Sequence, residues 1–220
     1  MRSSSKWSGA VAFNRFVERF DAWYESSQGA RAYHLELECL RPLWPVGGVP
    51  RLEVGVGTGR FASVLGAEVG IDPAKEALRR AAARGVIAVQ AAGERTPFGS
   101  RAFIGVLMVG VLCFADRPLL LLEEAKRVLD PSGVLLVGAV PLDSEWGALY
   151  LGKGRSGDPF YRSGRPITSD GLVEMVTSAG FRIEAARSTL LAPPGAAEAG
   201  GVEDGLVAGA GFVALLAAPA

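Results

Sequence analysis

Apolar residues follow two different spacings along the chain, and the change falls near residue 51. From Phe13 to Tyr24 they recur three and four positions apart with charged residues between them, which predicts an amphipathic helix. A second helix is predicted from about Ala30 to Leu43, ending before Pro45 and the pair Gly47–Gly48. Because both helices precede the strands, we expect them to pack against the sheet.

From Arg51 onward, short apolar runs alternate with helical ones, which predicts βαβ units and a parallel sheet. Asp72 and Pro73 indicate a helix start, with the aspartate as cap and the proline in the first helical position. The last two strands have no helix between them, so we expect them to be antiparallel. The predicted strands cover 51–54, 68–71, 86–89, 103–109, 134–140, 181–191 and 212–217, and the helices 61–66, 73–85, 116–129 and 169–179.

Two stretches show neither spacing. Residues 141–168 are rich in glycine, serine and aromatic residues, and a long loop of this kind in a compact protein is usually a lid or a binding segment. Residues 193–209 are rich in proline, glycine and alanine, and we interpret them as a flexible connector. The length of 220 residues predicts a single domain.

Composition and charge narrow the class of protein. The chain is 49% hydrophobic and carries 23 basic and 23 acidic residues, which is typical of a globular protein. No block of like charge runs through it, so binding to nucleic acid is disfavoured. The apolar stretch 104–122 is interrupted by Asp116, Arg117 and Pro118, which leaves it too short to span a membrane.

The cysteines and the N-terminal residues bear on compartment. Cys39 and Cys113 lie far apart and form no C-x-x-C pair, so neither a disulfide framework nor a zinc site is indicated. Met1–Ala10 lacks the apolar run of a signal peptide. We therefore expect a cytoplasmic protein without a metal ion, present as a monomer or a homodimer.

The segment Glu53–Gly59 has a glycine at every second position, where a strand must turn sharply into a helix. Glycine lets the backbone approach a ligand because no Cβ intervenes. A dinucleotide fingerprint would need glycine at the position of Arg60, so NAD fits less well. Asp72, at the tip of the second strand, could accept hydrogen bonds from a ribose diol. Three interpretations without a ligand stay open: the segment is only a tight turn, Asp72 only caps a helix, and Glu53 only pairs with a buried backbone group.

Taken together, these motifs resemble the class I S-adenosylmethionine-dependent methyltransferases, in the broad group that includes quinone-biosynthesis-like enzymes. The matching segments are Glu53–Gly59, Val69–Pro73, Gly93–Phe98 and Glu124–Gly133, and the resemblance covers most of the chain. It implies a Rossmann-like, doubly wound α/β sheet of seven strands, mostly parallel with an antiparallel last strand, preceded by N-terminal helices. The implied division is a helical cap at 1–48, a cofactor-binding core at 49–140, a lid or acceptor-side loop at 141–168, and a C-terminal helix with antiparallel strands at 169–220.

The resemblance also implies a binding site for S-adenosylmethionine. The glycine turn would lie against the methionine part, with Glu53 anchoring that side, Asp72 holding the ribose, and Gly93 and Glu94 meeting the adenine edge. The cofactor carries a sulfonium and an ammonium, so its site favours carboxylates over lysines. Family members often carry acids where this chain has Ala92 and Ile104. The predicted cofactor-binding residues are Glu53, Gly55, Val56, Gly57, Gly59, Asp72, Pro73, Gly93, Glu94, Met108 and Val109.

The sequence does not identify a catalytic residue. Methyl transfer from a sulfonium is an in-line displacement in which positioning supplies much of the rate, and a base is optional. The weak candidates are His34, whose titration range suits a base, Tyr24, which resembles aromatic residues that close over the cofactor, and Tyr161 in the long loop.

We therefore predict methyl transfer to a small-molecule acceptor. Two alternatives stay open: a non-catalytic S-adenosylmethionine-binding module, and, less favoured, an NAD-dependent oxidoreductase. An enzyme that methylates amino groups of RNA or DNA would usually show an Asn/Asp-Pro-Pro-aromatic motif after the fourth strand, where this chain has Val109–Leu112. No nucleic-acid or membrane partner is expected.

Overall fold

A computed structural model describes residues 8–44, 47–48, 50–196 and 200–220. Within these residues, eight strands form one sheet. The strand order is β3-β2-β1-β4-β5-β8-β6-β7. The strands are β1 Arg51–Val54, β2 Val69–Asp72, β3 Ile87–Gln90, β4 Phe103–Val109, β5 Leu129–Ala139, β6 Phe181–Thr189, β7 Glu203–Asp204 and β8 Phe212–Pro219. The helices are α1 Ser8–Arg15, α2 Val17–Trp23, α3 Ser27–Leu40, α4 Arg60–Leu65, α5 Lys75–Ala83, α6 Pro118–Val128, α7 Glu145–Arg155 and α8 Ser169–Ser178.

The strand directions confirm the predicted doubly wound sheet. β1 to β5 are parallel, and β8 runs antiparallel to both β5 and β6. One face of the sheet is packed by α6 and α8 and the other by α3, α4 and α5, so the central strands are buried on both sides. Their unbroken apolar sequences follow from that burial.

The sheet has one strand more than the seven expected. Residues 203–204 form β7, which pairs antiparallel with β6 through the registers Arg187–Asp204 and Ser188–Glu203. The Ser188 hydroxyl donates to the carbonyl of Gly205 at 2.7 Å and accepts from the Val207 N–H at 3.0 Å. The prediction of a flexible connector was wrong for this part, because side-chain hydrogen bonds from β6 order it. Residues 197–199 of the predicted connector lie outside the described residues.

The predicted loop 141–168 contains a helix, so that prediction was also wrong. α7 begins after Ser144, whose Oγ accepts from the Gly147 N–H at 3.0 Å as an N-terminal cap. Trp146 anchors the helix, since its indole N–H donates to the Ala192 carbonyl at 3.0 Å. Three glycines inside α7 give it a low helix propensity, and tertiary contacts override that propensity.

The helices also differ from prediction in their bounds, and three differences exceed a few residues or change a predicted role. The first predicted helix is divided at Phe16 into α1 and α2. The second predicted helix ends at Leu40 and continues into a short 3-10 turn. Pro45 and residues 1–7, which include most of the N-terminal segment without a signal-peptide pattern, lie outside the described residues. Asp72 does not cap α5, which begins at Lys75 after Ala74, and Pro73 is not its first residue.

Candidate active site

A cavity of about 690 Å³ lies at the carboxyl edge of the parallel strands. That volume falls within the range of small-molecule sites, and the edge is where ligands bind in open α/β sheets. The strand-end residues that line it are Gly55 after β1, Asp72 on β2, Ala91 after β3, Val109 on β4, Ala139 on β5 and Phe212 on β8. Helices α1, α2, α3 and α7 and the segments 110–116 and 158–167 also contribute to the lining.

The glycine turn leaves backbone open to this cavity. Gly57 has φ +51°, and a Cβ built there would meet only the Gly55 carbonyl oxygen, at 4.0 Å. Gly59 has a different role, since a Cβ on it would lie 2.8 Å from the Cα of Ala81 on α5. Gly57 therefore permits close approach of a ligand, whereas Gly59 permits close packing of the turn on α5.

Asp72 holds the turn and faces the cavity. Its Oδ2 accepts from the Gly57 N–H at 3.0 Å, and its Oδ1 accepts from the Ala74 N–H at 2.7 Å. Burial raises its pKa to about 6, although the two N–H groups act in the opposite direction. Each carboxylate oxygen keeps a second acceptor position. Asp72 can therefore accept a pair of hydroxyl groups without releasing the turn.

Glu53 lies behind the turn and does not line the cavity. It is buried, its Oε2 has no hydrogen-bond partner among the described residues, and burial raises its pKa well above the usual range. A hydrogen bond from the Ala62 N–H lowers that pKa but does not offset burial. Glu53 thus carries an unpaired oxygen, on a carboxyl that burial keeps in its neutral form, beneath the segment predicted to meet the methionine part of the cofactor.

The predicted residues Pro73, Gly93 and Glu94 also line the cavity, together with Ile71 and Leu121. A Cβ on Gly93 would approach Val54 to 2.8 Å and Leu121 to 2.9 Å, so glycine allows close packing here. Ala92 lines the cavity as well and offers no carboxylate.

Besides Glu53, four predicted residues do not line the cavity. Val56 and Met108 are buried in the cores on opposite faces of the sheet, and Gly59 packs on α5. His34 points outward with 74% of its side chain exposed and pairs with Glu38 at 3.1 Å. His34 therefore does not contact the cavity.

The other two catalytic candidates do line the cavity. Tyr24 lies under the Arg60 guanidinium, 4.8 Å from its ring centroid, and Tyr161 stacks on Tyr150 with centroids 4.6 Å apart. Burial raises the pKa of Tyr161 to about 12 and raises the pKa of Tyr24 and Tyr150 well above 10. All three phenols are therefore protonated near neutral pH.

A carboxyl group on the cavity wall was not among the predicted site residues. Glu36 of α3 is 8% exposed and lines the cavity, and no hydrogen bond or ion pair holds it among the described residues. Burial raises its pKa to about 8. Its position carried a signal, because it stands four residues after Ala32 and four before Leu40 on the apolar side of the helix.

A buried ion cluster joins the N-terminal helices to the glycine turn and was also missed. Asp21 of α2 accepts from the Thr58 hydroxyl at 2.9 Å, Arg60 Nε at 2.7 Å and an Arg84 guanidinium nitrogen at 2.8 Å. Burial alone would raise the pKa of Asp21, but hydrogen bonds from Arg60, Arg84 and Thr58 hold it at about 2. Arg60, the residue at the third-glycine position of a dinucleotide fingerprint, thus ties α2 to the turn.

Comparison with known proteins identifies the class to which this fold and site belong. The family model described as "Methyltransferase domain" matches residues 52–137. A Thermotoga maritima crystal structure, described as a "SAM-dependent methyltransferase, possible histamine N-methyltransferase", has a TM-score of 0.88 and 31% identity over 96% of this chain and 99% of its own. The chain belongs to the class I S-adenosylmethionine-dependent methyltransferases, and S-adenosylmethionine is its cofactor.

Similar sequences occur in distant organisms. An uncharacterized protein of Mycobacterium tuberculosis is 43% identical over 94% of this chain and 73% of its own length. An uncharacterized protein of Methanocaldococcus jannaschii is 34% identical over 93% of this chain and 97% of its own. Among the described residues, no helix combines the length and apolar character needed to cross a bilayer.

The residues at the turn fit this cofactor. Its ribose diol suits the open acceptor positions of Asp72. The open backbone at Gly57 allows the ligand to lie directly on the turn. Glu53 holds an unpaired oxygen beneath it.

Proposed function

We propose that this protein transfers the methyl group of S-adenosylmethionine to a small-molecule acceptor by in-line displacement. The observation that carries the proposal is the extent of the cavity. It runs from Asp72 at the end of β2, past the glycine turn, to Glu36 and aromatic side chains near β5 and β8. A cofactor lying on the turn leaves the β5 side for a second molecule.

The cover of the cavity supports a small acceptor rather than a polymer. Phe13 and Phe20 of the N-terminal helices contact the Phe160 ring at centroid distances of 5.4 and 5.7 Å. Arg19 of α2 pairs with Asp158, which follows α7. These contacts join the two covering segments, so we propose that nucleic acid is not the acceptor.

In this proposal the chain contributes binding and positioning. S-adenosylmethionine supplies an electrophilic methyl carbon on a sulfonium. Asp72 and the turn at Gly57 hold it, while the apolar walls exclude water and confine the acceptor to the direction of attack. Because Tyr24 and Tyr161 are protonated near neutral pH, they act as hydrogen-bond donors and not as bases.

An acceptor screen tests the proposal. Purified protein is incubated with S-adenosylmethionine and separate pools of small amines, phenols, thiols and carboxylic acids, and release of S-adenosylhomocysteine is measured over many turnovers. We expect at least one pool to raise the release above the rate without acceptor. Cofactor binding with no stimulation by any pool would favour the non-catalytic binding module.

A further inference from the structure

Glu36 is a charged residue type placed where the proposed acceptor would bind. It belongs to α3, which packs on β5, β6 and β8, whereas Asp72 lies on β2 at the other side of β1. Both carboxyl groups line one cavity, so they face it from opposite ends. Asp72 is held by two backbone N–H groups, and Glu36 is held by none.

Glu36 has no ion pair with a cation among the described residues, although Arg60 lies 4.8 Å from the ring centroid of Tyr24 and Lys153 lies 5.4 Å from that of Tyr150. Four titratable groups that interact with Glu36 are Tyr24 on α2, Tyr33 and Cys39 on its own helix, and Tyr150 on α7. Burial raises the pKa of each of these groups, so all four are neutral near pH 7. A buried carboxyl without a partner is costly, and a ligand that brings a positive charge removes that cost.

The walls around Glu36 are aromatic. Tyr24, Tyr150, Trp23 and Phe212 line the cavity, and Tyr24 and Tyr150 lie close enough to Glu36 to interact with it. Aromatic faces attract cations, as Arg60 over Tyr24 and Lys153 over Tyr150 illustrate, and a carboxylate beside aromatic rings suits an ammonium group. Such a site discriminates strongly against an uncharged analogue, because the carboxyl is then left unpaired.

We propose that the methyl acceptor is a small amine and that Glu36 binds its ammonium group and takes up the proton that the nitrogen must lose. This proposal rests on the proposed function and specifies its substrate class. The ammonium proton passes to a Glu36 carboxylate oxygen, which frees the nitrogen lone pair. The N–C bond then forms as the methyl–sulfur bond breaks, and the electron pair of the broken bond stays on sulfur.

The protons and charges balance in this scheme. The methylated nitrogen carries the positive charge that the sulfonium loses, and the proton on Glu36 is released to solvent after product leaves. With a pKa of about 8, the free carboxyl is mostly protonated at pH 7 and can exchange a proton in the neutral range. Binding of an ammonium at pH 7 should therefore release a proton from the protein.

Calorimetry with the wild type and two variants tests the proposal. The probes are 2-phenylethylamine and histamine, with 2-phenylethanol as the uncharged control, titrated in the presence of S-adenosylhomocysteine at pH 7. The two variants, Glu36→Gln and Glu38→Gln, are compared with the wild type. Glu38 lies on the same helix with 53% of its side chain exposed and serves as the matched control.

We expect wild type and Glu38→Gln to bind at least one amine, to bind the alcohol at least 10-fold more weakly, and to release a proton on binding the amine. Glu36→Gln should bind the amine at least 10-fold more weakly without proton release, while its affinity for S-adenosylmethionine changes less than about 3-fold. Thermal melting confirms that each variant is folded.

Three outcomes would overturn the proposal. In the first, wild type binds the cofactor but neither amine. In the second, Glu36→Gln loses affinity for S-adenosylmethionine as much as for the amine. That result would mean that Glu36 binds the ammonium group of the cofactor and not that of the acceptor. In the third, Glu36→Gln changes neither affinity. Failure of the proposed function itself has a different signature, since wild type would then bind amine without turnover in any acceptor pool.

Discussion

At the scale of single residues, Asp72 differs from one of the two roles expected for it. It was expected either to hold a ribose or to cap a helix. The structure shows its carboxylate bonded to the N–H groups of Gly57 and Ala74, with α5 beginning later, at Lys75. The side chain therefore fixes the turn to the end of β2 and presents its remaining acceptor positions to the cavity.

Replacing Asp72 should weaken cofactor binding. We expect Asp72→Ala to lower affinity for S-adenosylmethionine about 10- to 100-fold, because hydrogen bonds to a charged acceptor are worth roughly 1.5–3 kcal/mol. Calorimetry measures the affinity. Asp130→Ala is a matched control, since Asp130 accepts from the Ser132 N–H two residues on but lies at the start of β5, away from the cavity. Unchanged affinity in Asp72→Ala would remove this residue from the site.

The same carboxyl predicts a pH dependence of binding. Its pKa in the folded protein is raised to about 6, so it is ionised above that pH and protonated below it. A protonated carboxyl accepts fewer hydroxyl hydrogen bonds. Affinity for S-adenosylmethionine should therefore fall as pH is lowered through about 6, in titrations from pH 8 to pH 5. An affinity that is flat over this range would contradict the assignment.

Gly57 and Gly59 should respond differently to a methyl group. A left-handed backbone costs an alanine roughly 1–2 kcal/mol, which both variants incur. A Cβ at position 57 meets open space on the cavity wall, whereas one at position 59 lies 2.8 Å from the Cα of Ala81. We expect Gly57→Ala to lose mainly cofactor affinity and Gly59→Ala to lose more stability, as shown by urea unfolding beside calorimetry. Equal stability losses would contradict this distinction.

At the scale of elements, the N-terminal helices are attached to the cofactor turn through Asp21. The helix α2 supplies this buried carboxylate, and the turn and α5 supply Thr58, Arg60 and Arg84. The same helices provide Phe20 and Tyr24 to the cavity. Loss of the cluster would therefore loosen the cover of the site as well as the fold.

Asp21→Asn should destabilise the protein by about 2 kcal/mol at pH 7, since the pKa lies near 2 in the folded state against an ordinary 3.8. The contribution of a carboxylate with a lowered pKa is complete above about pH 4 and is lost as pH falls toward 2. Urea unfolding at pH 7 and at pH 3 measures it. Glu18→Gln, on the same helix with its side chain 87% exposed, should change stability by less than about 0.5 kcal/mol.

Elements differed in how far the sequence could predict them. β1 and β4 have the predicted bounds because short apolar runs next to glycine or proline leave few choices. The helix α7 was missed because its three glycines hide a helix that Ser144 and Trp146 stabilise through distant partners. The short β7 was missed because its order depends on Ser188 of another strand.

At the scale of the whole molecule, the chain order of βαβ units predicted the parallel sheet, and the family resemblance implied its doubly wound form. The glycine turn and Asp72 could be found because their chemistry is local in sequence. Glu36 and Asp21 were missed because each reaches the site from a helix that precedes the sheet, although Glu36 stands on the apolar side of its helix. The cofactor half of the cavity is thus readable from the sequence, whereas the acceptor half depends on how α2, α3 and α7 fold over it.

The central claim is that one cavity holds S-adenosylmethionine on the glycine turn and leaves its β5 side for an acceptor. The most direct measurement is calorimetric titration of the wild-type protein with S-adenosylmethionine, S-adenosylhomocysteine and NAD. We predict that both sulfur compounds bind at one site per chain with dissociation constants well below about 1 mM and that NAD does not. Binding of NAD in that range, with neither sulfur compound bound, would contradict the account.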